Sequence, residues 1–186
     1  TREVFESHLR EGDGARVVDD MIAVPAVVGD MHNLPSGTVH ALGAGVLVAE
    51  VQTPSDTTFR VYDWGRKGRE LHVEQAMQCI VFAPARDATR LAPGATNGRL
   101  VTTGFFLVDE AVLGAAPAPV STAPEHAGRA MVITILSGSC EIASTAGAHP
   151  VTRAPLGSTV VIPACLVATT AIAGSGRVLK SCVLGS

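Results

Sequence analysis

Apolar positions follow two different rhythms along this chain. At its start Val4, Phe5, His8 and Leu9 recur at helical spacing, so residues 1–11 (TREVFESHLRE) read as a helix with Thr1 as N-cap and Gly12 and Gly14 as its stop. From Asp20 onward short runs of Val, Ile, Leu and Thr are bounded by Gly, Pro, Asn or Asp, which predicts strands. They are expected over 21–24, 30–34, 38–42, 46–52, 58–62, 100–108, 129–136, 140–143, 149–153, 159–162, 167–173 and 178–184. A second short helix fits 73–79, where Glu70 and Glu74 favour a helix N-terminus. Residues 83–97, rich in Ala, Pro, Arg and Gly, read as a connector, and 114–124 as a surface loop. Many short strands and one or two short helices predict a mainly β fold, a sandwich or barrel.

An internal repeat sharpens this picture. Gly29-Asp30 is followed by LPSGTVH ending at His40, and Gly157-Ser158 by IPACLVA ending at Ala168, with the same Gly-to-Pro and Pro-to-end spacing. Two related β units are expected. They differ at the position where chemistry would sit, His40 against Ala168.

Composition removes several classes of function. The net charge is −3 and the cations are scattered, apart from the stretch Arg66, Lys67, Arg69, so no basic face exists to track a nucleic acid. No apolar run reaches the roughly 18 residues of a membrane span, and no cationic leader opens the chain. Cys79, Cys140, Cys165 and Cys182 form no CxxC pair and read as reduced thiols packed as small apolar core residues, in a cytoplasmic protein.

The segment GDMHNLPSGTVH fits GxxxxxPxGxxH. Gly29 and Asp30 turn into a strand, Pro35 closes it, Gly37 supplies a positive-φ corner, and the next strand can aim His40 into a barrel interior. This resembles the second motif of the cupin superfamily, where the histidine is a metal ligand, although the usual asparagine four residues later is Ala44 here. The run SGTVHALGAGVLVAEVQTPSDTTFRVYDWGRKGRELHVEQAM narrows the match: over about residues 23–77 it is similar to type I mannose-6-phosphate isomerases, and the chain resembles their carboxy-terminal part. The later repeat, 129–184, is similar only in being a metal-free terminal cupin unit. The resemblance implies a cupin-like double-stranded β-helix (jelly roll) with one partial and one degenerate unit: residues 1–80 as the second half of a metal-binding unit, 81–98 as connector and 99–186 as the metal-free unit.

The same resemblance implies an enzyme that interconverts mannose 6-phosphate and fructose 6-phosphate through a cis-enediol, with Zn2+ bound at three or four N or O ligands. It makes His40 a metal ligand and Arg60 the active-site cation, for which a structural pair with Asp56 or Asp63 is the plainer role. Glu50, on one strand face with Val46, Val48 and Gln52, is the acid/base candidate, or else only an ion-pair partner. His72 matches the family too, but sits where a helix begins and can serve in capping or packing. Arg66, Lys67 and Arg69 either attract a sugar phosphate or form a solvated loop. His8, His126 and His149 show no partner pattern; His32, at even spacing from His40, could share its barrel face but reads as structural.

The upstream glutamine-histidine and lysine-glutamate motifs of the family have no counterpart here; the chain has neither HxH nor Lys-Thr-Glu, and its only lysines are Lys67 and Lys180. Two readings follow. The chain is part of a longer isomerase, or a short cupin whose barrel a second chain completes by strand-edge pairing, as a homo-oligomer. A metal-free cupin module that binds a sugar, or only assembles, is the alternative to the enzyme.

Overall fold

The computed structural model describes residues 1–11, 14–55, 57–84, 86–147 and 150–184; Gly12, Asp56 and His149, which enter the expectations above, lie outside the described residues. The chain divides into two compact units, Thr1–Val46 with Pro54–Ala88, and Leu47–Thr53 with Thr89–Ser186.

In the first unit helix α1 (Arg2–Arg10) forms as its periodicity predicts, and the Thr1 hydroxyl accepts a bond from the Val4 amide. A 3-10 turn, Ala15–Asp20, follows Gly14, which stands at φ 77°. Helix α2 (Val73–Cys79) occupies the residues expected. Phe5, Leu9 and Val17 meet Met77 of α2 in a small core, with Val39, Val61, Tyr62, Val73 and Ile80 packed around it. Polar contacts pin the same elements: Arg2 Nη2 donates to the Met77 carbonyl at 2.6 Å, and Arg10 Nη2 reaches Glu74 at 2.8 Å. His8 Nδ1 lies 2.7 Å from Asp20 Oδ2.

The strands expected over 21–24, 30–34, 38–42, 46–52 and 58–62 are not formed; apart from an isolated bridge at Met31 these residues carry no ladder. The reason is physical. A β-prone pattern records fitness for a pleated, half-buried surface, and becomes a strand only when a neighbour takes its backbone groups. Ile22, Val28, Leu42 and Leu47 are correspondingly exposed, Val28 and Leu47 at 94% and 97%.

The second unit holds the sheet. Its strands are β1 (Asn97–Thr102), β2 (Phe106–Leu113), β3 (Ala118–Pro119), β4 (Met131–Ser144), β5 (Thr152–Pro155), β6 (Thr159–Ile162) and β7 (Thr170–Val183), with a single-turn helix α3 (Ala164–Val167) before β7. All pairings are antiparallel, in the order β1-β2-β7-β4-β5, with β3 also on β7 and β6 also on β4. The protein is mainly β with a few short helices, as the patterning predicts.

Two expectations are corrected in detail. The run 100–108 is two strands, turned at Thr103, whose hydroxyl accepts from the Phe105 and Phe106 amides. The pairs 129–136 with 140–143, and 167–173 with 178–184, are instead the long strands β4 and β7, whose glycines sit inside the ladder. Gly138 faces Gly176 across it, beside a bulge between Ile135 and Ser137. A Cβ on Gly176 would stand 2.0 Å from the Ser137 carbonyl oxygen, so the two strands touch there backbone to backbone.

Alternation on β2, β4 and β7 builds the core: Met131, Ile133 and Ile135 of β4 pack with Val178 of β7, Ala111 of β2, and Val120, Ile162 and Val167. Each such side chain contributes about 1.5–3 kcal/mol when fully buried. Into this face the register inserts a charged row, Asp109 of β2 beside Lys180 of β7, with Ile133 of β4 beyond. Arg99 of β1 pairs with Asp109 through Nε, and His126, fully buried, puts Nε2 2.9 Å from the other Asp109 oxygen. Lys180, 3% exposed, donates to the Thr122 hydroxyl at 3.3 Å. Burial pushes the Lys180 amine down despite Asp109, and pushes His126 down more than Asp109 restores.

The repeat survives as turn geometry. Asp30 N bonds Val27 O at 3.0 Å and Thr38 N bonds Pro35 O at 3.0 Å; the corresponding bonds, Ser158 N to Pro155 O and Leu166 N to Pro163 O, are 3.0 and 2.9 Å. The first turn is the same in both copies, with Gly29 and Gly157 at positive φ; the second keeps its closing bond but runs through Gly37 at φ 88° in one copy and through helix α3 in the other. They part in between, since 159–162 pairs with β4 while 31–34 has no ladder.

Candidate functional site

The motif glycine Gly37 does more than bend the chain. It stands at φ 88°, and a Cβ there would lie 2.6 Å from the Cys79 carbonyl oxygen, while the Gly37 carbonyl accepts from the Val81 amide at 3.0 Å. The turn is therefore seated on the end of α2. Val39 packs against the small core and places its neighbour His40 at the rim, exposed, with Nδ1 2.9 Å from the Thr38 carbonyl. His40 is thus at the surface, three residues beyond the turn, and among the described residues no barrel interior is formed around it. His32 is exposed as well.

Arg60 is placed by the same logic. Val61 is packed on the core and Arg60 next to it is half-buried, its carbonyl accepting the His72 amide at 2.7 Å. That bond closes the loop 60–72 at the start of α2. His72 takes the N-cap position without a side-chain cap, and its ring leans on Phe59 with centroids 6.0 Å apart. Asp63, suggested as a partner for Arg60, instead faces Arg66 and Arg69, each at 3.7 Å. Glu50 is exposed and belongs to the segment Leu47–Thr53, assigned to the other unit than His40 and Arg60. The strand that would have put it on a face with Val46, Val48 and Gln52 is absent.

For a metal the donor set decides. Among the described residues no three His, Cys, Asp or Glu side chains converge. His40 brings one imidazole, and zinc needs three or four donors, so the described residues do not fit a zinc ion. The thiols do not compensate: all four are free, Cys79 and Cys165 exposed rather than in the core, Cys140 and Cys182 buried and pushed up by that burial. No helix among the described residues is long and apolar enough to cross a membrane.

No family model matches the chain. It is 33% identical over 150 residues to the mannose-6-phosphate isomerase of Streptococcus mutans, an alignment spanning 76% of this chain and 45% of that protein. This chain is a relative of the mannose-6-phosphate isomerases. A probable mannose-6-phosphate isomerase of Bacillus subtilis is 42% identical over 87 residues, 44% of this chain and 27% of that one. The chain therefore spans less than half the length of these isomerase relatives. A crystal structure of a phosphomannose isomerase mutant from Salmonella typhimurium aligns with 63% of this chain and 29% of that one, at 11% identity and a TM-score of 0.49.

Sequence reasoning missed one group altogether. His126 shows no partner pattern in the sequence, yet it is fully buried against charge, because Asp109 and Lys180 are brought to it only by the β2–β7 register.

Proposed function

We propose that this chain serves the interconversion of mannose 6-phosphate and fructose 6-phosphate, the activity its relatives are named for. The observation that carries the reading is the 33% identity across 76% of the chain with the Streptococcus mutans isomerase. The chemistry moves a proton between C1 and C2 of the open-chain sugar through a cis-enediol, so negative charge develops on an oxygen. Arg60 suits that oxygen, since guanidinium is charged at every working pH and donates in a planar fork. Glu50 is the group assigned to carry the proton, a task for a carboxylate within hydrogen-bond reach of the carbon-bound hydrogen. His40 supplies one donor to the zinc ion this family resemblance implies, and the remaining donors have to come from outside the described residues. Residues 1–80 then act as the half unit that meets the substrate, and 99–186 as the metal-free unit. The four free thiols agree with a reducing, cytoplasmic setting.

The test is elemental analysis of the purified chain together with an assay of mannose 6-phosphate to fructose 6-phosphate conversion. Turnover with near-stoichiometric metal, both lost in His40→Ala, is the expected result for the chain together with whatever completes its site. Turnover and metal content unchanged in His40→Ala would remove His40 from the site, and turnover unchanged in Arg60→Ala would remove Arg60.

A further inference from the structure

Between β3 and β4 the chain runs STAPEHAGRA, residues 121–130, with no large apolar side chain to fasten it to the sheet. Its one buried side chain is His126; every other residue of the run is partly or fully exposed. An imidazole thus takes the place that an apolar anchor ordinarily fills. The two ends of the run are tied independently. Val120 N bonds Thr170 O at 3.0 Å and Lys180 Nζ donates to the Thr122 hydroxyl at 3.3 Å, while Arg129 Nη1 donates to the Val183 carbonyl at 3.0 Å. Between those ties the backbone bonds are internal: His126 N to Ala123 O at 3.1 Å, Ala127 N to Pro124 O at 3.0 Å and Arg129 N to His126 O at 3.2 Å. They close the single 3-10 turn Pro124–His126, too short to hold itself. Among the described residues, the polar ties from 123–128 to the sheet are two: His126 Nε2 2.9 Å from Asp109 Oδ2, and Glu125 Oε1 4.0 Å from Arg99 Nη2. We propose that residues 123–128 are an acid-released strap over the second unit, with His126 as its latch: on acidification the strap lifts as a unit while the sheet beneath stays paired.

The seat under the strap is built for a neutral imidazole. Nδ1 of His126 is buried with no hydrogen-bond partner, and Nε2 stands close to Asp109 without the alignment of a hydrogen bond. Asp109 already spends its other oxygen on Arg99. The charges around the ring are balanced before it takes a proton: Arg99 of β1 and Lys180 of β7 are cations, Asp109 of β2 and Glu125 of the strap are anions. Met131 and Ile133 of β4 bring no charge, Arg129 is spent on the Val183 carbonyl, and burial pushes the Cys182 thiol up and keeps it neutral. A proton on His126 would add a third cation and an N–H with nothing to accept it. Burial, helped by Lys180 and Arg99 and opposed by Asp109, therefore holds the ring below the usual imidazole range. With the strap lifted the ring stands in water and titrates near 6.5. Below that value proton uptake favours the lifted form, so opening rises as the pH falls. Lysine 180 and its partner Thr122 lie at the fixed end, so what the lifted strap bares is the Asp109 carboxylate.

The experiment follows amide hydrogen exchange of the full chain between about pH 7.5 and pH 5, each rate divided by the intrinsic rate at that pH, together with the His126 ring proton shifts. The amides of His126, Ala127 and Arg129 are expected to open more often than those of 131–135 and 178–182 at every pH. Their opening should rise by up to about tenfold per pH unit below about pH 6.5. His126→Gln, which seats a group that takes up no proton, should flatten that rise, and Glu125→Gln, at an exposed position, should keep it. Equal opening of the strap and sheet amides would overturn the strap, because the proton would then enter only on unfolding. Opening that falls with falling pH, or a rise that Glu125→Gln abolishes, would overturn His126 as the latch. A ring titration with its midpoint at or above about 6.5 in the parent chain would do the same, and it needs no variant to fold.

Discussion

At the scale of single residues, the strongest electrostatic commitment lies in the second unit, where Arg99 and His126 share the Asp109 carboxylate and Lys180 is buried on the neighbouring strand beside it. Imidazole ordinarily titrates near 6.5, and burial lowers this in the folded chain, with Lys180 and Arg99 opposing the help from Asp109. Below that value the unfolded chain takes up a proton that the folded one refuses, so acidification favours unfolding and stability rises with pH up to about 6.5. The expected outcome is that His126→Gln, which keeps a side-chain N–H for Asp109, unfolds in urea with a shallower pH dependence below about pH 6.5 than the parent chain. An identical slope would mean that His126 is not the group taking up the proton. None of this was legible from the sequence, because spacing shows only local partners and the three groups meet through register. The first unit shows the reverse. GxxxxxPxGxxH identified real turns at Pro35 and Gly37, yet the position of His40 depended on strands that the chain does not pair.

At the scale of elements, α1 and α2 could be read from the sequence because a helix satisfies its own backbone and its caps are local, whereas the single turn α3 was not. Strands could be read where both partners lie in the chain, as at 159–162, and could not where the partner is missing, as over 21–62. Gly138, Gly174 and Gly176 misled for another reason. Glycine between apolar runs reads as a turn, but here it permits two strands to approach more closely than any side chain allows. Gly176→Ala meets both a positive φ of 100° and the Ser137 carbonyl. A loss of about 2 kcal/mol or more is expected in chemical denaturation, against less than about 0.5 kcal/mol for Ala at an exposed surface site such as Gln78→Ala. Equal losses would show that the strands part easily at this point.

At the scale of the whole molecule, the two units differ in how they are held. The second has a continuous core and paired backbone from β1 to β7; the first has two short helices, a small core and long stretches whose amides enter no ladder. Amide exchange tracks such differences. Residues 131–135 and 178–182 should therefore exchange slowest, and 21–34 and 46–55 fastest. Comparable protection in both sets would mean that the unpaired segments find strand partners in solution, as a second copy or the rest of an isomerase-like chain would supply.

The two lysines carry a further consequence. Lys67 stands exposed in the cationic loop and Lys180 is enclosed beside Asp109, so a small acylating reagent meets one amine at once and the other only when the sheet opens. A single mass spectrum of the labelled chain then contains its own reference and its own clock: modification at Lys67 measures the reagent, and modification at Lys180 starts when β2 and β7 separate.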